Sequence, residues 1–407
     1  MNATVSRARV AVFCVFWLSG LVCALWSAAL PAINDRLQLG EIRLGAVLLV
    51  VGLGTLTVMP VGGRLCDRFS SRRVLGVAGT LAALTLLGPA FAPSFPLMLA
   101  AAFVLGGGLG LLDVAMNAHA IEVEALYGRP VMSGFHGVWS LGGVAGGAAV
   151  AGGLHAGVDI GWVMASGALV AAVLFLFPRR ALLPDGVRAQ AAAPEAAGGG
   201  RPMRFHLVLL LGLVAFCAFV SEGAAADWAG LHASTVLGVS TALAPVAYTV
   251  FSATMTLVRL LGDGLRARLG PERTLRWAGL TALAGFCLVL VVSWVPGMGL
   301  PVRTALAYTG WALAGLGLAT VVPVVFSAIG AHHGSDGGAG RMLSWVSMFG
   351  YVGLLSGPAL IGPLAELTSL GTAMLLPAAL CVVIVGLGPV VLARAAGRTG
   401  EKARVAP

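Results

Sequence analysis

The sequence predicts an all-α membrane protein of twelve transmembrane helices, arranged as two pseudo-symmetric six-helix bundles. Three observations predict it: a composition too apolar for a water-soluble chain, twelve apolar runs of membrane-spanning length in a six-plus-six order, and halves that share motifs at matching spacing. Hydrophobic residues make up 58% of the 407 positions and charged residues 10%, where soluble proteins carry about a quarter charged. The mean hydropathy is +0.96. At roughly 20 apolar residues per span, about a dozen helices use up the length, with little left for a soluble domain.

The runs, bounded by charge, proline or glycine, lie near 10–31, 44–63, 74–92, 96–118, 131–154 and 160–178. They resume near 205–228, 241–262, 274–295, 302–329, 343–364 and 370–393. The first follows Arg7 and Arg9. It is too long for the apolar core of a signal peptide and more spans follow, so it reads as an uncleaved helix. The fourth and fifth form a hairpin that carries Asp113, Asn117 and His136 in glycine-rich apolar sequence, with its turn expected near Ala125. Pro323 predicts a kink in the tenth, because proline removes a helical donor and crowds the preceding turn. Residues 179–204 contain Pro184, Pro194, Pro202, five arginines and the run AAAPEAAGGG, the composition of a flexible linker. The expected domains are therefore an N-terminal bundle over 1–178, a linker over 179–204, a C-terminal bundle over 205–395 and a tail over 396–407.

A net charge of +9 and a pI near 10.0 invite a nucleic-acid reading, but the basic residues fall in short loops with no aromatic-interleaved patch, so no nucleic acid is expected. With both termini in the cytoplasm, 22 of the 25 basic residues lie inside, and Arg36, Arg43 and Arg303 lie outside. That asymmetry predicts the orientation. Cys14, Cys23, Cys217, Cys287 and Cys381 sit in apolar runs and Cys66 in a basic loop. No CxxC or His/Cys cluster occurs, so neither a disulfide framework nor a metal is expected. Asn34, Asp35, His155, Asp159, His332 and His333 read as loop residues, as do Glu122 and Glu124 near the cytoplasm.

The halves repeat. GGRLCDRFSSRR at 62–73 aligns with GDGLRARLGPER at 262–273, pairing Arg68 with Arg268 and Arg73 with Arg273. Gly108 and Gly110 align with Gly315 and Gly317, and Gly142 and Gly146 with Gly353 and Gly357. In this register Asp113 faces Thr320, Asn117 faces Val324 and His136 faces Ser347, so the ionisable groups of the hairpin belong to the first half alone. A duplicated six-helix unit is an architecture secondary transporters use to bind substrate at the repeat interface.

The loop GGRLCDRFSSRRVL resembles the signature between helices 2 and 3 of the major facilitator superfamily. Gly63, Leu65, Asp67, Arg68 and Arg72 match its pattern, while Ser70 and Ser71 replace its second glycine and the first arginine that follows. The resemblance implies a cytoplasmic gate latch, the acid held by a helix N-terminus and by arginine. Arg268 is the corresponding residue of the second half. Within the superfamily, LDVAMNAHAIEVE, GRPVMSGFHGVWSLGG, SEGAAADWAGLH and YTVFSATMTLVRLLGD are similar to a bacterial branch that includes the rhizopine-transporter-like proteins. The fourth helix has no membrane arginine of the kind found in drug-proton antiporters. The fifth lacks their Gly-Pro signature; Gly357-Pro358 lies in the eleventh instead.

Polar groups in hydrocarbon mark pathways or binding sites, so Asp113, Asn117 and His136 are the leading candidates for a substrate or proton pathway. About twelve residues before and eleven after the expected turn, Asp113 and His136 would share one depth. Asp113 and Asn117, four residues apart, share a helix face. Gly134, Gly137, Gly142 and Gly143 would let the helices approach. The alternative is a structural hydrogen bond between the two helices. Glu222 in the seventh helix is a further candidate, while Asp227 and Trp228 read as interfacial. Trp26 and Trp139 are candidates either to stack on a sugar ring or to fill space. Arg303 reads as an anchor.

The expected protein is a secondary transporter of a small polar solute, a sugar, polyol or related metabolite, working by alternating access. It would be a monomer in the bacterial inner membrane and in contact with lipid. The resemblance implies proton coupling. The alternatives are a proton-driven exporter of an amphipathic drug or natural product and a non-transporting membrane sensor or scaffold. No GxxxxGK[ST] motif occurs, no cofactor is expected, and the hairpin residues do not make up an enzyme's catalytic set.

Overall fold

The computed structural model describes residues 3–184, 205–239, 246–295, 297–332 and 339–403. Their regular structure is helical, and the helices group into twelve spans numbered in chain order. The first six are α1 (Ala3–Ser27 with Leu30–Leu37), α2 (Gly40–Phe69), α3 (Ser71–Thr85 with Leu87–Phe91), α4 (Phe95–Tyr127), α5 (Met132–His155) and α6 (Ile160–Leu174). The second six are α7 (Phe205–Leu231), α8 (Val246–Leu269), α9 (Pro271–Trp294), α10 (Leu300–Leu318 with Val321–His332), α11 (Ala339–Leu367) and α12 (Leu370–Ala373 with Leu375–Ala403). Among the described residues, 11 spans are long and apolar enough to cross a membrane. The other, α8, carries Arg259, Asp263, Arg266 and Arg268.

Proline explains where the spans break. It has no N–H to donate and its ring crowds the carbonyl four residues earlier. The breaks after Ser27, after Thr85, at Ala319–Thr320 and after Ala373 lie four residues before Pro31, Pro89, Pro323 and Pro377. The kink expected at Pro323 is thus a break in α10. Pro60 and Pro389 stay inside continuous helix.

Two compact units emerge from the packing: Met1–Pro202 with Ile329–Met348, and Met203–Ala328 with Phe349–Pro407. Within the first, α2 meets α4 and α1 meets α5 through glycines at backbone contact. A Cβ on Gly106 would lie 1.9 Å from the Val51 carbonyl oxygen, and one on Gly142 1.9 Å from that of Trp17. Such distances exclude any side chain. Within the second unit, a Cβ on Gly315 would lie 2.2 Å from the Phe251 carbonyl oxygen and one on Gly353 2.6 Å from that of Phe216.

These contacts correct the register of the repeat between α4 and α10. Val51 and Phe251 are equivalent by the loop alignment, so their partners Gly106 and Gly315 are equivalent too. Gly108 against Ala82 likewise matches Gly317 against Ala282. Gly54 packs on the Phe103 carbonyl, and its equivalent Thr254 donates to the Ala312 carbonyl at 3.1 Å. The α4 register is therefore two residues from the one expected from GLG alone, and Asp113 and Asn117 correspond to Val322 and Phe326. A three-residue glycine pattern repeats every second residue and fits two registers. Only the helices opposite select one.

Several expected loop residues are helical. α4 runs on to Tyr127, so Glu122 and Glu124 lie in its last turns. The Glu124 carboxylate accepts the backbone N–H groups of Val131 and Met132, both at 2.9 Å, capping α5 where free donors need an acceptor. Asn34 and Asp35 lie in the short second segment of α1, and His155 ends α5. Asp159 accepts from Gly161 N–H at 2.8 Å as the N-cap of α6. His332 ends the second segment of α10, and His333 lies outside the described residues.

Candidate functional site

Asp113 and Asn117 stand in the middle of α4. The Asn117 side-chain amide donates to the Asp113 carbonyl at 2.9 Å and to its Oδ1 at 3.1 Å. Asn117 is fully buried, and its Oδ1 has no partner among the described residues. Asp113 is half-buried, and the Cys23 thiol of α1 lies within its electrostatic reach. An amide that holds one carboxylate oxygen orients the other, leaving a fixed acceptor for a proton or a solute hydroxyl.

His136 does not share this depth. Because α4 continues to Tyr127 and α5 begins at Met132, the turn lies several residues beyond Ala125. Asp113 is then about 21 Å of helix rise from its end of α4, and His136 about 6 Å into α5, at 1.5 Å per residue. The cause is local: Gly128 closes α4 in the left-handed conformation at φ 71°, not a residue near 125. The glycines of α5 do not draw it toward α4 either. Gly142 and Gly146 face Trp17 and Leu21 of α1, and Gly143 faces open space. His136 is half-buried with its ring edge-on to Phe16 at 5.3 Å. The Trp139 carbonyl abuts Gly20. Trp26 is 6% exposed, which suits packing and leaves little ring face to offer a solute.

The C-terminal end of α2, helical through Phe69 where a loop was expected, is built around Asp67. Its Oδ2 accepts the backbone N–H of Arg341, in the first turn of α11, at 3.2 Å, and lies 3.8 Å from the Arg341 guanidinium. Helix N-terminal donors and a cation thus meet one carboxylate. Gly63 is buried, Arg72 half-buried, and Arg68 and Arg268 exposed, with the Arg68 guanidinium 5.2 Å from the Phe69 ring centre.

Ser70 stands where the signature has glycine, and it adopts φ 79°, ψ 146°. Its repeat mate Gly270 adopts φ 76°, ψ 164°. This region is almost exclusive to glycine and costs other residues about 1–3 kcal/mol. As N-cap of α3, Ser70 accepts from Arg73 N–H at a long 3.4 Å, and losing a serine cap to glycine costs only a few tenths of a kcal/mol. Ser70→Gly is therefore expected to stabilise the protein by about 1–2 kcal/mol. A thermal melt of the purified protein checks this, and an unchanged or lower midpoint would contradict it.

Glu222 does not stand alone in α7. Arg259 Nη2 lies 3.3 Å from both Glu222 oxygens, and Arg259 is 8% exposed. Arg259 is one of the basic residues counted on the cytoplasmic side, but unlike the loop arginines it is buried inside α8. The signal was its position in the apolar stretch TMTLVRLL. Two more residues carry no signal in the sequence. Arg341 is one basic residue among those counted on the cytoplasmic side. His119 is fully buried, with Nδ1 2.8 Å from Ser71 Oγ and Nε2 accepting from Leu183 N–H at 3.1 Å, so it ties the segment after α6 to α4. Arg303 donates to the Val236 carbonyl at 3.2 Å.

Comparison with known proteins follows this geometry. The family model described as the Major Facilitator Superfamily matches residues 12–339. An uncharacterised MFS-type transporter of Yersinia pestis is 31% identical over 365 residues, covering 88% of this chain and 89% of that one. The membrane protein MosC of Rhizobium meliloti is 30% identical over 375 residues, covering 91% and 86%. Among solved structures, the proton:xylose symporter XylE bound to 6-bromo-6-deoxy-D-glucose matches with a TM-score of 0.74 at 15% identity, over 94% of each chain. The human organic anion transporter MFSD10 matches with a TM-score of 0.73 at 17% identity, over 96% of this chain and 100% of that one. At such identities the likeness is one of fold.

Proposed function

The chain belongs to the Major Facilitator Superfamily, and on that premise we propose that it is a secondary transporter of a small polar solute, a sugar, polyol or related metabolite, coupled to protons. It works by alternating access, the bundle over 1–178 rocking against that over 205–395. The observation that carries this reading is the Asp113–Asn117 pair, an oriented carboxylate at mid-helix that the repeat does not require, since its counterparts are Val322 and Phe326. Hydrocarbon packing gives no reason to keep such a pair, whereas a pathway does. His136 is a second polar station nearer the α4–α5 turn, and Glu222 a third in the other half. The protein sits as a monomer in the bacterial inner membrane with both termini in the cytoplasm, as the basic asymmetry supports even without Arg259. Asp67, Arg341 and the Gly63–Arg72 loop then latch the cytoplasmic side.

The test is reconstitution into liposomes with an internal pH reporter, screening sugars and polyols against hydrophobic cations. A polar solute that moves with a pH change supports the reading. Movement of hydrophobic cations alone would replace it with drug export, and no movement of any solute would remove the transporter reading.

A further inference from the structure

We propose that Arg259 and Glu222 form an anion-binding subsite in which Arg259 takes a single carboxylate of the solute, so that the solute is a hydroxylated monocarboxylate of the sugar-acid type. The inference rests on the transporter reading above and narrows its substrate class. Glu222 stands 17 residues after Phe205 in α7 and Arg259 13 residues after Val246 in α8, so both are well inside their spans.

A structural ion pair would close the arginine fork on the carboxylate with two parallel N–H···O bonds of about 2.7–2.9 Å. Here a single nitrogen, Nη2, straddles both oxygens at 3.3 Å. Nε is buried and has no acceptor among the described residues. A guanidinium with an unfilled donor in a buried setting leaves a costly hydrogen bond unmade, and a second acceptor would supply it. The side chain of Glu222 is 25% exposed against 9% for Arg259. A carboxylate that open at this depth faces water, because hydrocarbon would penalise it. Tyr248 lies within electrostatic reach of both members of the pair, and in the proposed subsite its hydroxyl meets a hydroxylated solute.

Charge selects the ligand class. A dianion would bring two negative charges to the one guanidinium that already faces Glu222, whereas a single carboxylate brings one. A cation would leave the open donor unfilled. The repeat argues against a scaffold role: the equivalents of Glu222 and Arg259 in the first half are Cys23 and Met59, and that half packs without the pair.

The experiment uses the purified full-length protein and reads ligand-induced stabilisation in thermal melts with D-gluconate, D-glucose and D-glucosamine. Gluconate is expected to raise the midpoint more than the other two. The double variant Arg259→Gln/Glu222→Gln removes both charges together, so no buried charge is stranded. It is expected to keep a cooperative melt and to bind gluconate at least about tenfold more weakly, as befits loss of a charge-assisted hydrogen bond. Equal shifts with glucose or glucosamine, no shift with gluconate, or a gluconate shift that survives in the double variant would overturn the subsite. If that variant fails to melt cooperatively, Arg259→Lys alone serves, with the same expected loss. Adding gluconate to the liposome screen separates the two readings: solute movement without gluconate selectivity removes the subsite and leaves the transporter standing.

Discussion

Asp113→Asn is expected to abolish pH-driven solute accumulation in proteoliposomes while leaving the protein folded. The substitution is isosteric, and the new Oδ1 still accepts the Asn117 amide that lies 3.1 Å from Asp113 Oδ1, so the α4 geometry survives. What disappears is the capacity to bind and release a proton at that atom. If Asp113 only couples, solute counterflow without a pH gradient continues at the wild-type rate. If it also binds the solute, counterflow requires about 10–150-fold more solute, the equivalent of a charge-assisted hydrogen bond worth about 1.5–3 kcal/mol. Unchanged pH-driven accumulation would remove Asp113 from the mechanism and leave the pair a purely local helix contact.

Gly106→Ala is expected to be among the most damaging single-methyl changes. Its Cβ would sit 1.9 Å from the Val51 carbonyl oxygen and 3.0 Å from Val51 Cα, and both are backbone atoms that no rotamer can move. The helices must separate, which also strains the hydrogen bond from Thr55 Oγ1 to the Gly106 carbonyl at 2.9 Å. Overpacking usually costs about 1–3 kcal/mol and sometimes more, and a backbone-to-backbone clash belongs at the upper end. Gly315→Ala meets the Phe251 carbonyl oxygen at 2.2 Å and should behave alike, whereas Gly143→Ala meets nothing within 4 Å. Thermal melts of the three purified variants check this. A Gly106→Ala midpoint equal to that of Gly143→Ala would refute both the close approach and the register drawn from it.

Fold class was legible because the bilayer imposes a simple rule: a span must be apolar and long enough to satisfy its backbone internally. Composition and run length carry that rule directly. The repeat was legible where its residues are irregular in type, as in the loops around Arg68 and Arg268, and ambiguous where it rested on GLG. Element ends were read short, since charged residues such as Glu124 can continue a helix once a neighbouring N-terminus accepts them. That error moved the hairpin turn and, with it, the depth assigned to His136. The candidate site was legible at Asp113 and Asn117, because an i,i+4 pair is local. The pairing of Glu222 with Arg259 was not legible, because the two are 37 residues apart on different helices.

By itself, then, the sequence determined a multi-spanning helical transporter of the Major Facilitator Superfamily with a carboxylate–amide pair in its fourth helix. The spans depend on hydropathy, the pair on contacts within one turn, and the family on resemblance in motifs such as that of Gly63, Asp67, Arg68 and Arg72. Only the tertiary structure decided that α5 packs on α1, that Asp67 meets the first turn of α11, and that the arginine of α8 is a buried partner of Glu222. Each depends on which helix faces which, and that no single segment encodes alone.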